Sequence, residues 1–190
     1  MSAQQRLSNI LGWLNPQKKR YRYLRDLCLF GLIAFLVLSY QQKEMITGKA
    51  PKLHAYSTLG EPLSLSTSQP TLVYFWGTWC PVCRLTSPMV DTLTADYQVI
   101  SIAVASGSDD EINQFMTEQG YRYPVINDTV VNDAITNNLR GNDAIELNQL
   151  WGAEVFPAIY IVDKHGEIRF KTSGVTSSIG MKIRLWLAKW

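Results

Sequence analysis

The most restrictive feature of the chain is a run of strand-forming residues at 71–76 (TLVYFW), followed after three residues by Cys-Pro-Val-Cys at 80–83. A run of this composition and length predicts a buried strand. Proline suits the first turn of a helix, where its missing N–H is no loss, so a helix is predicted to begin at Pro81. Cys80 then lies at the N-terminus of that helix, and Cys83 lies one turn further in.

A cysteine pair at this spacing can be a structural staple, part of a metal site or a redox couple. The staple is disfavoured, because a disulfide that closes so short a loop removes little entropy from the unfolded chain. Zinc requires four ligands, and only His54 and His165 are available beside the pair, at no recognised spacing. Haem attachment needs a histidine after Cys83, where Arg84 stands. Cu(I), which accepts two thiolates, stays open as an alternative.

The redox interpretation explains more of the neighbouring residues. A thiolate at a helix N-terminus faces unpaired backbone N–H groups and the positive end of the helix dipole, which lowers the pKa of the thiol. Cys80 is therefore predicted to be the attacking nucleophile. Cys83 lies within reach of Cys80 and can resolve a mixed disulfide.

The rest of the chain alternates between strand-like and helix-like segments. The predicted elements are a hairpin at 53–66, a strand at 99–105, a helix at 110–119, a strand at 123–126, a helix at 143–151, a hairpin at 158–171 and a helix at 177–188. The helix that begins at Pro81 is predicted to run to 95 with a kink at Pro88. This order predicts an α/β fold with a central mixed sheet that is flanked by helices.

The last predicted helix carries an apolar face. Apolar residues at helical spacing more often pack against a core than against a membrane surface, so core packing is predicted and membrane contact is the alternative. The residues of this face are Ile179, Ile183, Trp186, Leu187 and Trp190.

The N-terminal region predicts a membrane anchor. Residues 27–40 form an uncharged, mostly apolar run with five basic residues closely before it. A cleaved signal peptide is the alternative, but no small-residue cleavage motif follows the run closely. The predicted organisation is a cytoplasmic basic tail at 1–26, a transmembrane signal anchor at 27–42, a linker at 43–52 and a globular domain at 53–190. The positive-inside rule predicts a cytoplasmic N-terminus and an external domain, in a compartment where disulfides persist.

The charge of the chain is unevenly distributed. Basic residues outnumber acidic ones by six in the first fifty residues, whereas acidic residues outnumber basic ones by four in the remainder. A nucleic-acid-binding protein carries its positive charge on the folded surface, so no nucleic-acid partner is predicted.

The segment FWGTWCPVCR resembles the active-site segment of the thioredoxin superfamily, in particular the membrane-anchored TlpA/ResA-like thiol-disulfide oxidoreductases. The N-terminal hairpin, Pro88, the pair Phe156-Pro157 and the closing hairpin AIYIVDKHGEIRF are also similar to that family. The ending SGVTSSIGMKIRLWLAKW resembles the ScsD branch, suppressors of copper sensitivity. The resemblance covers residues 51–190 and implies a thioredoxin-like fold.

The resemblance also implies roles for single residues. Cys80 is expected to attack and Cys83 to resolve, with Pro81 between them in the motif. Trp79 is expected to pack beside the disulfide. Pro157, after a cis peptide bond, is expected to face the disulfide, and the backbone of Phe156 is expected to pair with an extended substrate.

The expected partners are protein thiols and disulfides and a transmembrane redox protein, with no cofactor and no bound metal. The expected location is the inner membrane, with a single span and the domain in the periplasm. Copper-stress defence or cytochrome c maturation is the expected setting.

Two positions depart from the family pattern. Thioredoxins carry a buried aspartate where this chain has Tyr74, and many ResA-like proteins carry a glutamate where it has Thr86. The usual carboxylate for the Cys83 proton is therefore missing from both positions. The polar segment 129–143 is longer than the family needs and is predicted to be a surface loop or an extended helix, with a role in partner choice as the alternative.

Overall fold

The computed structural model describes residues 16–128 and 146–190, with side chains from Arg20 onward except Leu38. The chain divides into two compact units, Met1–Gln41 and Gln42–Trp190, and each has its own set of internal contacts. The predicted polar segment 129–143, the start of the predicted helix 143–151 and the first fifteen residues of the basic tail lie outside the described residues.

The first unit contains one long helix, α1, which spans Pro16–Gln41. Its segment Arg20–Gln41 has 22 residues and is long and apolar enough to cross a membrane. At 1.5 Å per residue this segment is about 33 Å long, close to the thickness of a bilayer core. The predicted apolar run lies within it, and the helix begins eleven residues before that run.

The second unit contains the remaining elements. The strands are β1 Gly48–Lys49, β2 His54–Tyr56, β3 Pro62–Ser64, β4 Thr71–Trp76, β5 Gln98–Ala103, β6 Val125–Asn127, β7 Ala158–Val162 and β8 Glu167–Ser173. The helices are α2 Pro81–Asp91, α3 Asp109–Gln119, α4 Leu147–Leu150 and α5 Ser178–Leu187.

Within the described ranges, six strands form one mixed sheet in the order β1-β8-β7-β4-β5-β6, and β2 and β3 form a separate hairpin. Strand β4 lies in the interior of the sheet, parallel to β5 and antiparallel to β7. All six residues of β4 are buried, which explains why its sequence shows no polar alternation. The predicted mixed sheet is confirmed.

Both faces of the sheet are covered. Side chains alternate along β4, so Tyr74 and Trp76 enter one core while Val73 and Phe75 enter the other. The first core also contains the two cysteines and residues from α2, α3 and α5. The Cys80–Cys83 segment therefore lies on the sheet face that α2, α3 and α5 cover.

Helix α2 is shorter than predicted. It begins at Pro81 and continues through Pro88, but it ends at Asp91, whereas the sequence predicted 95. Pro88 has no N–H to donate to the carbonyl of Arg84, so this turn of the helix lacks one backbone hydrogen bond. The residues that follow form tight turns, such as Leu93 N to the Val90 carbonyl at 3.0 Å.

The predicted packing of the last helix is wrong. The side chains of α5 that enter the core are Met181 and Leu185, followed by Ala188 after the helix. The opposite face is solvent-exposed, and its residues are Ile179, Ile183, Trp186, Leu187 and Trp190. The sequence pattern concealed this arrangement because the helix is apolar on two opposite faces, and only the position of the sheet decides which face is covered.

Asp128 gives folding a pH dependence. The carboxyl group is buried and accepts a hydrogen bond from Leu147 N at 2.8 Å. Burial raises its pKa from 3.8 to about 6. A carboxyl whose pKa is higher in the folded state binds more protons there, so its contribution to stability is lost as pH rises from about 4 to about 6.

We expect Asp128→Asn to remove this dependence while it keeps an acceptor for Leu147. Relative to wild type, the variant should gain up to about 3 kcal/mol in unfolding free energy between pH 4 and pH 7, the value of two pKa units. Urea denaturation of both proteins at four pH values measures the difference. A difference in unfolding free energy between the two proteins that stays constant from pH 4 to pH 7 would contradict the raised pKa of Asp128.

Candidate functional site

Cys80 lies where strand β4 passes into helix α2. The residue is the N-cap of α2, with φ −89° and ψ 106°, and Pro81 occupies the first turn. The Cys80 Sγ accepts a hydrogen bond from Cys83 N at 3.1 Å. The sulfur therefore occupies the position at which a helix N-terminus stabilises negative charge.

The two cysteines form a disulfide, with a Cα–Cα distance of 5.3 Å. Cys80 is 4% exposed and Cys83 is 1% exposed, so both are buried and Cys80 is slightly the more accessible of the two. Little of the disulfide is open to solvent, and a partner must approach through the residues around it.

Trp79 covers the start of the motif and remains 53% exposed. Its indole Nε1 donates to the Val104 carbonyl at 3.0 Å, and its ring meets the Phe156 ring edge-on at a centroid distance of 5.8 Å. A Cβ atom at Gly77 would lie 2.6 Å from Trp79 Nε1. Gly77 is therefore required for the indole to fold back over the strand end.

The loop after β5 also holds the motif, and the sequence did not reveal this role. Ser106 Oγ accepts from Thr78 N at 3.1 Å and donates to the Val104 carbonyl at 3.0 Å. Ala105 between them has φ 47°, a conformation uncommon outside glycine. A parallel pairing of β4 with β5 would have indicated this role of the loop, because the carboxyl ends of parallel strands meet at one edge of a sheet.

Arg84 follows Cys83 in the first turns of α2 and carries a positive charge. Its guanidinium donates to the Thr78 carbonyl at 3.3 Å and lies 5.8 Å from the Phe115 ring centroid. These contacts hold the side chain along the start of α2. Its charge has the same sign as the positive end of the helix dipole at this N-terminus.

Hydroxyl groups lie beneath Cys83 at the positions where the family pattern has acids. The Tyr74 hydroxyl lies 3.0 Å from Ser87 Oγ and donates to the Cys83 carbonyl at 3.4 Å. Thr86 is fully buried, and its Oγ1 has no hydrogen-bond partner among the described residues. Burial raises the pKa of Tyr74 and of the neighbouring Tyr123 far above the ordinary phenol value. These phenols stay protonated, so they can donate hydrogen bonds but cannot act as bases.

The Phe156–Pro157 peptide bond is cis, as the resemblance implied. The Pro157 carbonyl accepts from Gly174 N at 2.9 Å, which ties this loop to the end of β8. Phe156 reaches the motif through its ring contact with Trp79. The approach of Pro157 to the disulfide, and the roles of single residues in exchange, stay predictions.

The comparisons with known proteins agree with this architecture. The sequence model of the AhpC/TSA family matches residues 46–171, more than half of the chain. A thioredoxin-like protein of Haemophilus influenzae is 30% identical over 176 residues, which cover 90% of this chain and 96% of that protein. The thiol-disulfide oxidoreductase ResA of Halalkalibacterium halodurans is 25% identical over 127 residues, or 63% of this chain and 64% of ResA.

Among solved structures, StoA from Bacillus subtilis superimposes with a TM-score of 0.55 at 15% identity, covering 72% of this chain and 96% of StoA. At that identity the match supports the fold alone. Assignment to the ScsD branch stays a prediction. From the matched family, the fold and the cysteine pair at the helix N-terminus, we conclude that the chain belongs to the AhpC/TSA family and is a thioredoxin-like thiol-disulfide oxidoreductase of the ResA-like kind.

Proposed function

We propose that the protein is a membrane-anchored periplasmic oxidoreductase that exchanges disulfides with partner proteins through Cys80 and Cys83. The observation that carries the proposal is the Cys80 sulfur at the N-cap of α2, with Cys83 N at 3.1 Å. This position stabilises the thiolate that disulfide exchange requires. The disulfide itself represents the oxidised form of the couple.

In the reducing direction, the Cys80 thiolate attacks one sulfur of a partner disulfide. The partner S–S bond breaks, a Cys80–partner mixed disulfide forms, and the leaving thiolate takes a proton from solvent. The Cys83 thiol then loses its proton and attacks Cys80 Sγ, which re-forms the internal disulfide and releases the second partner thiolate. Two electrons pass to the partner, and the reverse sequence oxidises a partner dithiol.

In the part of the chain that the structure describes, neutral hydroxyls rather than a carboxylate contact the Cys83 backbone, and we take solvent as the acceptor of the Cys83 proton. We expect Tyr74→Phe to lower stability by about 1 kcal/mol through the lost hydrogen bonds. The pH profile of resolution should keep its shape, because a phenol with a raised pKa is not the base. Stopped-flow resolution of a mixed disulfide between pH 6 and 9 tests this, and loss of one titration in the variant would contradict it.

The proposed location follows from α1 and the basic residues before its apolar part. A membrane-impermeant maleimide applied to intact cells after reduction should label Cys80 if the domain lies in the periplasm. Labelling only after lysis would place the domain in the cytoplasm. Copper-stress defence or cytochrome c maturation is the proposed setting, and a transmembrane redox protein is the proposed electron partner.

A Cu(I)-binding protein that uses the same sulfurs without turnover is the second candidate, because two adjacent thiolates suit Cu(I). Titration of Cu(I) into the reduced protein, followed by exchange assays with and without the metal, separates the two. Under the main proposal, exchange proceeds without copper, with a midpoint potential between about −270 and −120 mV.

A further inference from the structure

Helix α5 is apolar on its solvent-exposed face as well as on its core face. Ile179 is 70% exposed, Ile183 and Trp186 are each 54% exposed, and Trp190, just after the helix, is 88% exposed. At 100° per residue these side chains and Leu187 occupy one stripe, opposite the buried Met181 and Leu185. Contiguous exposed apolar patches mark interaction surfaces in soluble domains. We call this stripe the α5 face.

The charged residues of α5 itself are all basic although the domain as a whole is acidic. Residues 168–190 contain five Lys or Arg and no Asp or Glu. Lys182 and Arg184 lie on the two flanks of the stripe, and Lys189 follows the helix. Lys182 also contacts Asp96 at 3.1 Å, and Lys189 lies 5.2 Å from the Tyr97 ring centroid, so neither points into the apolar stripe.

An exposed stripe with Trp, Ile and Leu and with basic flanks has the composition of a helix that lies in a membrane interface. Tryptophan is enriched at that depth because its ring is apolar and its N–H can remain hydrated. Lysine and arginine at the flanks suit anionic headgroups. A protein partner with an apolar groove would not require basic residues on both flanks of the stripe.

The chain enters the folded unit on one face of β8, and α5 contacts the other face of the same strand. Gln42 directly follows α1, and its carbonyl accepts from Lys171 Nζ at 3.3 Å. Arg184 on α5 donates to Thr172, the next residue of β8, at 3.0 Å. The docking of α5 is therefore supported by its exposed apolar stripe and its basic flanks, and not by its position relative to the residue that follows α1.

We propose that the α5 face docks onto the lipid surface of the membrane that holds α1, in contact with anionic headgroups and the upper acyl chains. The inference rests on the membrane anchor of the proposed function. Docking restricts the rotation of the domain about its anchor and holds the Cys80–Cys83 site in a limited range of orientations towards membrane-bound partners.

The test uses the full chain in vesicles, with Cys28→Ser and with Cys80 and Cys83 kept as the disulfide. An environment-sensitive fluorophore is attached through Ile183→Cys. A matched control carries it through Lys164→Cys, which is exposed in the turn at the opposite end of β8. Vesicles contain doxyl-labelled lipid as a quencher, in either phosphatidylglycerol or phosphatidylcholine.

We expect several-fold stronger quenching of the Ile183→Cys label than of the Lys164→Cys label, with more quenching in phosphatidylglycerol and less after salt is added. Trp186→Gln with Trp190→Gln should reduce quenching of the Ile183→Cys label without a change in secondary structure. Both tryptophans are exposed, so these substitutions leave the core intact.

Retention of the chain in vesicles after an alkaline wash reports the anchor separately. A retained chain whose two labels are quenched equally would overturn docking alone. A chain that washes off would overturn the anchor and the docking together. Blue-shifted emission that is not quenched by doxyl lipid would also overturn docking. If the blue shift is lost on dilution of the protein, the α5 face binds a second copy of the chain. If the blue shift persists on dilution, the face binds another segment of the same chain.

Discussion

Replacing Cys83 with alanine is expected to convert the protein into a covalent trap for its partners. The Cys80 thiolate still attacks a partner disulfide, but no second thiol can release the product, so mixed disulfides accumulate. Turnover should fall more than about a thousand-fold, as when a covalent catalytic group is removed. Non-reducing electrophoresis of extracts from cells that express Cys83→Ala should show high-mass adducts, and reduction with dithiothreitol should remove them.

The controls separate the proposed roles of the cysteines. Cys80→Ala should form no adduct, because the thiol at the helix N-cap is missing. Cys28→Ser should behave as wild type, because Cys28 lies in the apolar helix α1. Adducts through Cys83 in Cys80→Ala would reverse the assignment of attacking and resolving thiols. Full biological function in the double variant Cys80→Ala/Cys83→Ala would instead indicate a docking protein whose cysteines are incidental.

Gly152→Ala is expected to destabilise the folded unit far more than Gly120→Ala does. Both glycines have positive φ, 62° and 71°, so alanine pays the left-handed backbone cost at each position. A Cβ atom at Gly120 would meet open space, whereas one at Gly152 would collide with the backbone carbonyl of Glu44. Gly120→Ala should therefore report the backbone cost alone, about 1 kcal/mol.

Gly152→Ala also displaces the segment that follows α1. Ile46 N donates to the Trp151 carbonyl at 3.3 Å, and Met45 is buried in the second core, so a shift of this backbone disturbs both contacts. We expect a total loss of about 3 kcal/mol or more, since overpacking adds about 1–3 kcal/mol to the backbone cost. Chemical denaturation measures both variants. Equal losses would show that the segment moves freely and is not part of the fold.

Much of the site could be predicted from its own local residues. Pro81 after a run of strand formers was sufficient to place Cys80 at a helix N-terminus, and the structure confirms that position. The cis bond before Pro157 was implied by resemblance and is present. Ser106 and Ala105 escaped prediction, because their role depends on the pairing of β4 with β5, which no local pattern shows.

The end of α2 and the hydroxyls under Cys83 illustrate the same limit. The residues after Asp91 keep an apolar spacing that suits a helix, yet they form turns in which Leu93 is buried. At the end of the helix, the Asp91 carboxylate pairs with the Arg122 guanidinium at 3.2 Å. Sequence identified Tyr74 and Thr86 as departures from the family. It could not show that Tyr74 bonds Ser87 and the Cys83 carbonyl, since those groups meet only when α2 packs on β4.

The sequence by itself determined the helix start at Cys80-Pro81, the strand before it and the closing hairpin, because these depend on the conformational preferences of neighbouring residues. The tertiary structure decided which apolar residues are buried. Helix α5 has two apolar stripes, and contact with the sheet covers Met181 and Leu185 while it leaves Ile183 and Trp186 in solvent. Burial depends on what lies opposite a side chain in space, and periodicity along one helix contains no information about that.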